Sequence, residues 1–137
     1  MSDNLTLSKN ERQTVLATAI RIAGADVTAG IVAGTGVEFD LPPNVIVLRC
    51  KLVTSVVDGG TSPTFNVGPT ADEDGFGANL AVGAVAGVDG AGALLGELLA
   101  ASTKCYVTEG TGTISNDGTH TLVLEYVQLD RSNEVYG

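Results

Sequence analysis

The sequence contains no tryptophan, one histidine, two cysteines, and only three tyrosines and three phenylalanines among its 137 residues. Platforms for stacking nucleobases are therefore scarce. Bases are scarce too, since seven Lys and Arg oppose sixteen Asp and Glu, a formal net charge of −9. Those seven (Lys9, Arg12, Arg21, Arg49, Lys51, Lys104 and Arg131) are scattered and form no patch. Binding to a phosphate backbone needs Lys and Arg to displace counterions, so nucleic acid is not an expected partner. One histidine and two cysteines are too few, and wrongly spaced, for a zinc site. No stretch approaches the ~20 apolar residues of a membrane-spanning helix without heavy glycine interruption, so no membrane partner is expected. Charged residues make 17% and hydrophobic residues 44%, which excludes a disordered, charge-dominated chain. With 18 Gly and 4 Pro but no Gly-X-Y period, a collagen helix is excluded as well.

What is present suffices for one compact domain, whose usual size is about 100–200 residues. The opening residues MSDNLTLSKNER lack the charged-then-apolar layout of a secretory signal, so synthesis in a reducing cytoplasm is expected. Residues 1–12 are polar and read as an N-terminal arm, 13–129 as a β-sandwich domain, and 130–137 as a polar C-terminal tail.

Within the domain, short β-branched runs alternate with glycine-rich turns. Leu16, Ile20 and Ile22 share one side of a period-two stretch, with Ala17 and Arg21 on the other. A short strand is expected at Ile31–Val32, and another at Val37–Leu41, stopped by Pro42-Pro43. The clearest strand is Val45–Val57, with Ile46, Leu48, Cys50, Leu52 and Val56 assigned to the buried face and Arg49, Lys51 and Ser55 to the wet one. Asp58-Gly59-Gly60 and Asn116-Asp117-Gly118 both read as tight hairpin turns, leading into strands at Thr64–Val67 and Thr119–Leu129. Lys104–Thr108 reads as a further strand, and Leu122, Leu124 and Tyr126 share a face of the last one. Short strands at this spacing predict an all-β fold, an antiparallel β-sandwich or barrel, of which the sandwich is the reading adopted.

Gly77–Ala101 holds eight Ala and six Gly, with Asp89 and Glu97 its only charges. Each interior glycine costs a helix about 1 kcal/mol relative to alanine. A short helix therefore fits only near 93–101. Leu80, Val82, Val85, Leu94 and Leu95 lie in this segment and admit two readings: a loop folded over one end of the sandwich, or a subunit interface that small residues let approach closely.

No constellation for catalysis emerges. Cys50 and Cys105 occupy alternating apolar positions, where a free cysteine behaves as a small hydrophobe. His120 follows a turn and opens a strand, where an exposed or half-exposed imidazole is expected. Asp72-Glu73-Asp74-Gly75 offers two carboxylates to a hard cation but falls short of a full calcium loop, so it reads as a solvated turn. No metal, no cofactor and no catalytic residue is assigned.

Several runs resemble small virion proteins of tailed bacteriophages. They are Val37-Glu38-Phe39-Asp40-Leu41-Pro42-Pro43-Asn44-Val45-Ile46-Val47, Asp58-Gly59-Gly60-Thr61, Phe65-Asn66-Val67-Gly68, Thr70-Ala71-Asp72-Glu73-Asp74-Gly75-Phe76 and Leu124-Glu125-Tyr126-Val127. They span roughly residues 37–127, and in this order they resemble the head decoration, or cement, proteins encoded near the major capsid protein. The resemblance implies a jelly-roll-like fold, homotrimers on the exterior of a capsid, the major capsid protein as partner, and no catalysis. The arm has no counterpart in it. A capsid-binding strand through Asp3, Asn4, Leu5 and Leu7 is an expectation of its own. Two other readings remain open: a phage tail or fibre-attachment module, and a small Ca²⁺- or carbohydrate-binding β-sandwich.

Overall fold

A computed structural model describes residues 15–32 and 34–129. Among the described residues, nine strands form two antiparallel sheets packed as a sandwich, with one 3-10 turn at Gly24–Asp26. The first sheet is ordered β1 (Leu16–Ala23), β9 (Thr119–Gln128), β3 (Val45–Val56) and β6 (Gly87–Asp89). The two-residue β7 (Leu98–Leu99) pairs with the start of β3 beyond β6. The second sheet is ordered β2 (Val37–Leu41), β8 (Thr103–Glu109), β4 (Thr64–Pro69) and β5 (Gly77–Ala81). The core lies between the sheets. Ile22, Val45, Val47, Leu52, Leu122 and Leu124 from the first meet Phe65, Val67, Val107 and the loop residue Phe76 from the second. Each such side chain contributes on the order of 1.5–3 kcal/mol by leaving water.

The expected strands at Val37–Leu41, Thr64–Val67 and Lys104–Thr108 are present to within two residues, and β1 keeps the alternation read from its β-branched residues. Val45–Val57 is a strand, but its faces differ from the expected assignment. The core side holds Val45 and Val47, then Cys50, Leu52 and Thr54, while Leu48 and Val56 are exposed. The cause is a bulge: Val47 pairs with Tyr126 and Arg49 with Glu125, so Leu48 is an extra residue that reverses the alternation. A second irregularity at Ser55 does the same before Val56.

Both expected hairpins are instead crossings between sheets. Residues 57–63 carry the chain from β3 to β4, and residues 110–118 carry it from β8 to β9. The hairpin that does close within a sheet joins β4 to β5, and its loop is the acidic run at 70–76. Two further expectations fail. Ile31 and Val32 lie in no strand, and residues 93–101 hold turns and β7 in place of a helix. In the latter, Gly92 N–H donates to the Phe76 carbonyl and Leu94 N–H to that of Gly75. Gly96, in the middle of this stretch, has φ 84°, which a right-handed helix does not adopt.

Candidate interaction surfaces

The two crossings are fastened to each other by aspartates. Asp58, only 2% exposed, accepts from the Gly60 and Ser115 amides through Oδ1 at 2.9 and 2.8 Å and from the Asn116 amide through Oδ2 at 2.9 Å. In return the Gly59 amide donates to Asp117 Oδ1 at 2.9 Å. Burial alone would push the Asp58 carboxyl up. The three amides, with nearby His120, outweigh it and hold the group below the ordinary carboxylate range. Asn116, at φ 59°, donates through its side chain to the carbonyls of Gly24 and Val27, fastening the turn after β1 to the same junction. Gly60 has no room for a β-carbon, because the Thr113 carbonyl occupies that position.

Beside the junction, His120 is fully buried, correcting the expectation of an exposed imidazole. The strand's own alternation puts it on the core side with Leu122 and Leu124. Its Nδ1 lies 2.9 Å from Thr54 Oγ1, and its ring stands edge-on to Phe65 with centroids 5.0 Å apart. Nε2 has no hydrogen-bond partner. Burial pushes the pKa of His120 down, and the Asp58 charge opposes this only in part. Thr54 has the parity of Cys50 and Leu52, both expected on the buried face, but its hydroxyl gives no apolar signal to mark it.

The thiols of Cys50 and Cys105 are free and buried, and burial pushes both pKa values up to about 12. A protonated, enclosed thiol is a poor nucleophile. In the acidic loop a side-chain hydrogen bond with Asp74 raises the Asp72 carboxyl above its ordinary value. Among the described residues, no group of three or more His, Cys, Asp or Glu is arranged to hold a metal ion. Nor is any described helix long and apolar enough to cross a membrane.

The outward faces differ in character. On the second sheet, Lys104 Nζ lies 3.1 Å from Asp40 and 3.6 Å from Glu38, and Asp40 first, then Glu38, raises its pKa. On the first sheet, Arg49 and Asp89 pair at 3.5 Å. Exposed pairs of this kind contribute about 0–1 kcal/mol each. At the end of the first sheet where β9 finishes, the outward face turns apolar. Ile46 is paired with both Val127 and Leu98, and directly paired residues share a face. Leu98 is 52% exposed, and Val15, Leu48 and Leu129 are exposed around it. Among the described residues β1 pairs only with β9, which leaves one side of an eight-residue strand unpaired.

The residues expected at interfaces separate. Asp3, Asn4, Leu5 and Leu7 lie outside the described residues. Leu80 and Val82 are buried within the protomer, Leu94 and Leu95 are half-buried against its core, and Val85 is 70% exposed. The glycines here do allow close backbone approach, but the approach observed is internal. Gly90 packs on the Phe76 carbonyl and Gly92 on that of Gly75.

No protein-family model matches the chain, and no curated protein matches it. Solved structures do. A chain in the structure titled "Cyanophage Pam1 capsid asymmetric unit" aligns with a TM-score of 0.53 at 16% identity, over 93% of this chain and 92% of that one. A chain in "Capsid of Ralstonia phage GP4" aligns with a TM-score of 0.58 at 22% identity, over 84% of each. The sandwich described above is thus a fold found among the proteins of phage capsids.

Proposed function

We propose that this chain is a structural virion protein that decorates a bacteriophage head, bridging neighbouring capsomers from the outside as a homotrimer. The observation that carries the reading is the likeness to chains of two phage capsid structures over 84–93% of the sequence. The strand order supports it. The sheets β1-β9-β3-β6 and β2-β8-β4-β5 interleave so that most successive strands change layer, the arrangement of a double-sheet jelly roll.

The physical task fits such a brick. Packaged DNA pushes outward on a capsid, and a protein seated across the joints resists by adding buried area and backbone pairing there. The partner is the major capsid protein. An arm through Asp3, Asn4, Leu5 and Leu7 adds a strand to an open edge of that partner, where main-chain bonds supply affinity. The exposed Val85, with the half-buried Leu94 and Leu95, contributes to the contact between copies. The role is mechanical and involves no catalysis, in keeping with buried thiols and a buried histidine.

The test is reconstitution. Purified protein should bind expanded heads that lack it, raise their resistance to heat, and scatter light with a mass near three times 13.9 kDa. Protein that never associates with heads, or that labels only the tail, would overturn the assignment.

A further inference from the structure

The apolar end of the first sheet has one occupant that the chain itself supplies. Val127, Ile46 and Leu98 form a row across β9, β3 and β7, and continuing the β1–β9 register sets the exposed Val15 beside Val127. Leu48, pushed out by the bulge, and Leu129 widen the row into a patch. Scattered exposed hydrophobes are ordinary, but a contiguous patch marks a contact.

The N-terminal segment enters the described structure at Val15, itself a member of that patch. From Val15 back to Leu7, an extended chain reaches about 27 Å at ~3.4 Å per residue. Crossing four strands at ~4.8 Å spacing takes only about 14 Å. The segment can therefore turn at the polar residues 8–12 and lie back across the row. Leu5 and Leu7 are two apart, so an extended backbone points both to the same side. The C-terminal residues leave from Leu129, close to the same patch, but Val135 and Tyr136 are consecutive and point to opposite sides. Charge favours the N-terminal segment as well. Its Lys9 and Arg12 are balanced by Asp3 and Glu11, whereas residues 130–137 carry Asp130 and Glu134 against Arg131 alone, and the patch is bordered by Glu97 and Glu125.

We infer that in the free protein Leu5 and Leu7 of the same chain cover the patch formed by Val15, Ile46, Leu48, Leu98, Val127 and Leu129. The seat rests on this chain alone. Combined with the decoration reading, it means that the arm leaves an intramolecular seat when it engages a capsid, and that leaving it uncovers an apolar face.

The test uses the full-length protein at high dilution, without heads. Leu7→Cys/Leu98→Cys is oxidised and the linked peptides are mapped by mass spectrometry. The buried, protonated Cys50 and Cys105 compete poorly. The expected result is a 7–98 disulfide at monomer mass, with a yield several-fold above that of Leu7→Cys/Val85→Cys. Equal yields from the two variants, or no link, would overturn the seat, and links between molecules only would assign the patch to a second copy instead. A second measurement covers a variant that folds poorly. Leu5→Lys/Leu7→Lys should raise amide exchange several-fold in peptides covering 45–48 and 97–99, and unchanged exchange would also overturn the inference. Neither readout involves a capsid, so failure here leaves the head-binding assignment standing, and the reverse holds.

Discussion

His120 Nδ1 and Thr54 Oγ1 meet 2.9 Å apart on the buried side of the β3–β9 pair, in a register where the two residues are direct partners. Thr54 is 1% exposed and His120 fully buried, so the imidazole is held neutral in a place water does not reach. Its folded pKa lies below the unfolded value of 6.5. As pH falls past 6.5, the unfolded chain takes a proton that the folded chain refuses. Stability from this group is therefore complete above 6.5 and lost as pH falls toward the folded pKa. Thermal melts should show the midpoint declining between pH 7 and pH 5. His120→Phe should lower the midpoint at pH 7, because the Thr54 hydroxyl loses its partner, and should flatten the dependence over that interval. An equal slope in the variant would remove His120 as its source.

Asp58 acts in a lower window with the same sign. Its folded pKa is held below 3.8, so its contribution is complete above 3.8 and is lost as pH falls through the folded value. Asp58→Ala removes the acceptor from three part-buried amides at a cost on the order of 1–3 kcal/mol, read as a shift in urea midpoint. Asp58→Asn keeps one acceptor oxygen and should fall between wild type and alanine.

Gly60 and Gly30 make a matched pair. A β-carbon at Gly60 meets the Thr113 carbonyl, whereas at Gly30 it meets nothing within 4 Å. Gly60→Ala should cost about 1–3 kcal/mol through the forced separation of the two crossings. Gly30→Ala should change stability by less than about 0.5 kcal/mol, as surface substitutions do.

Val82→Ala and Val85→Lys should divide folding from association. Val82 is fully buried, and its truncation should cost on the order of 1–3 kcal/mol in chemical denaturation while leaving the assembled mass unchanged. Val85 is exposed, so its lysine variant should melt like wild type yet form fewer trimers by light scattering.

Deleting residues 2–11 should leave the far-ultraviolet circular dichroism and the core's cooperative melt in place, because β1 starts at Leu16. Binding to heads should weaken. Loss of the folded state would instead make the arm part of the core.

Element type is legible in this sequence and connectivity is not, for separable reasons. Alternation is local, so β1, β2 and the faces of β9 were legible in runs such as Leu122-Val123-Leu124. The bulge at Leu48 was not, because an extra residue is defined by its partner, and Tyr126 and Glu125 lie some 80 positions away in numbering. Asp58-Gly59-Gly60 looked like a hairpin because glycine serves two ends. Here neither Gly59 nor Gly60 has a positive φ, and the Gly60 position is set by the close approach of another crossing. The burial of His120 was readable from its parity with Leu122, but a lone polar residue beside a turn pulled the expectation outward. Of the expected contact residues, only Val85 was separable from the core by exposure, since Leu80 and Val82 have the same composition and differ only in which way they face.

The position of the last strand sets a timetable for the molecule's birth. β9 separates β1 from β3, and β8 separates β2 from β4, so neither layer has a centre until late residues have been synthesised. Bringing Leu16 to Tyr126 closes nearly the whole chain into a loop, an entropic toll that short-range contacts do not relieve. A ribosome that stalls before Thr119 thus releases a polypeptide whose first layer lacks its central strand and leaves bare edges on β1 and β3. Such fragments are open to proteases, so only finished chains persist.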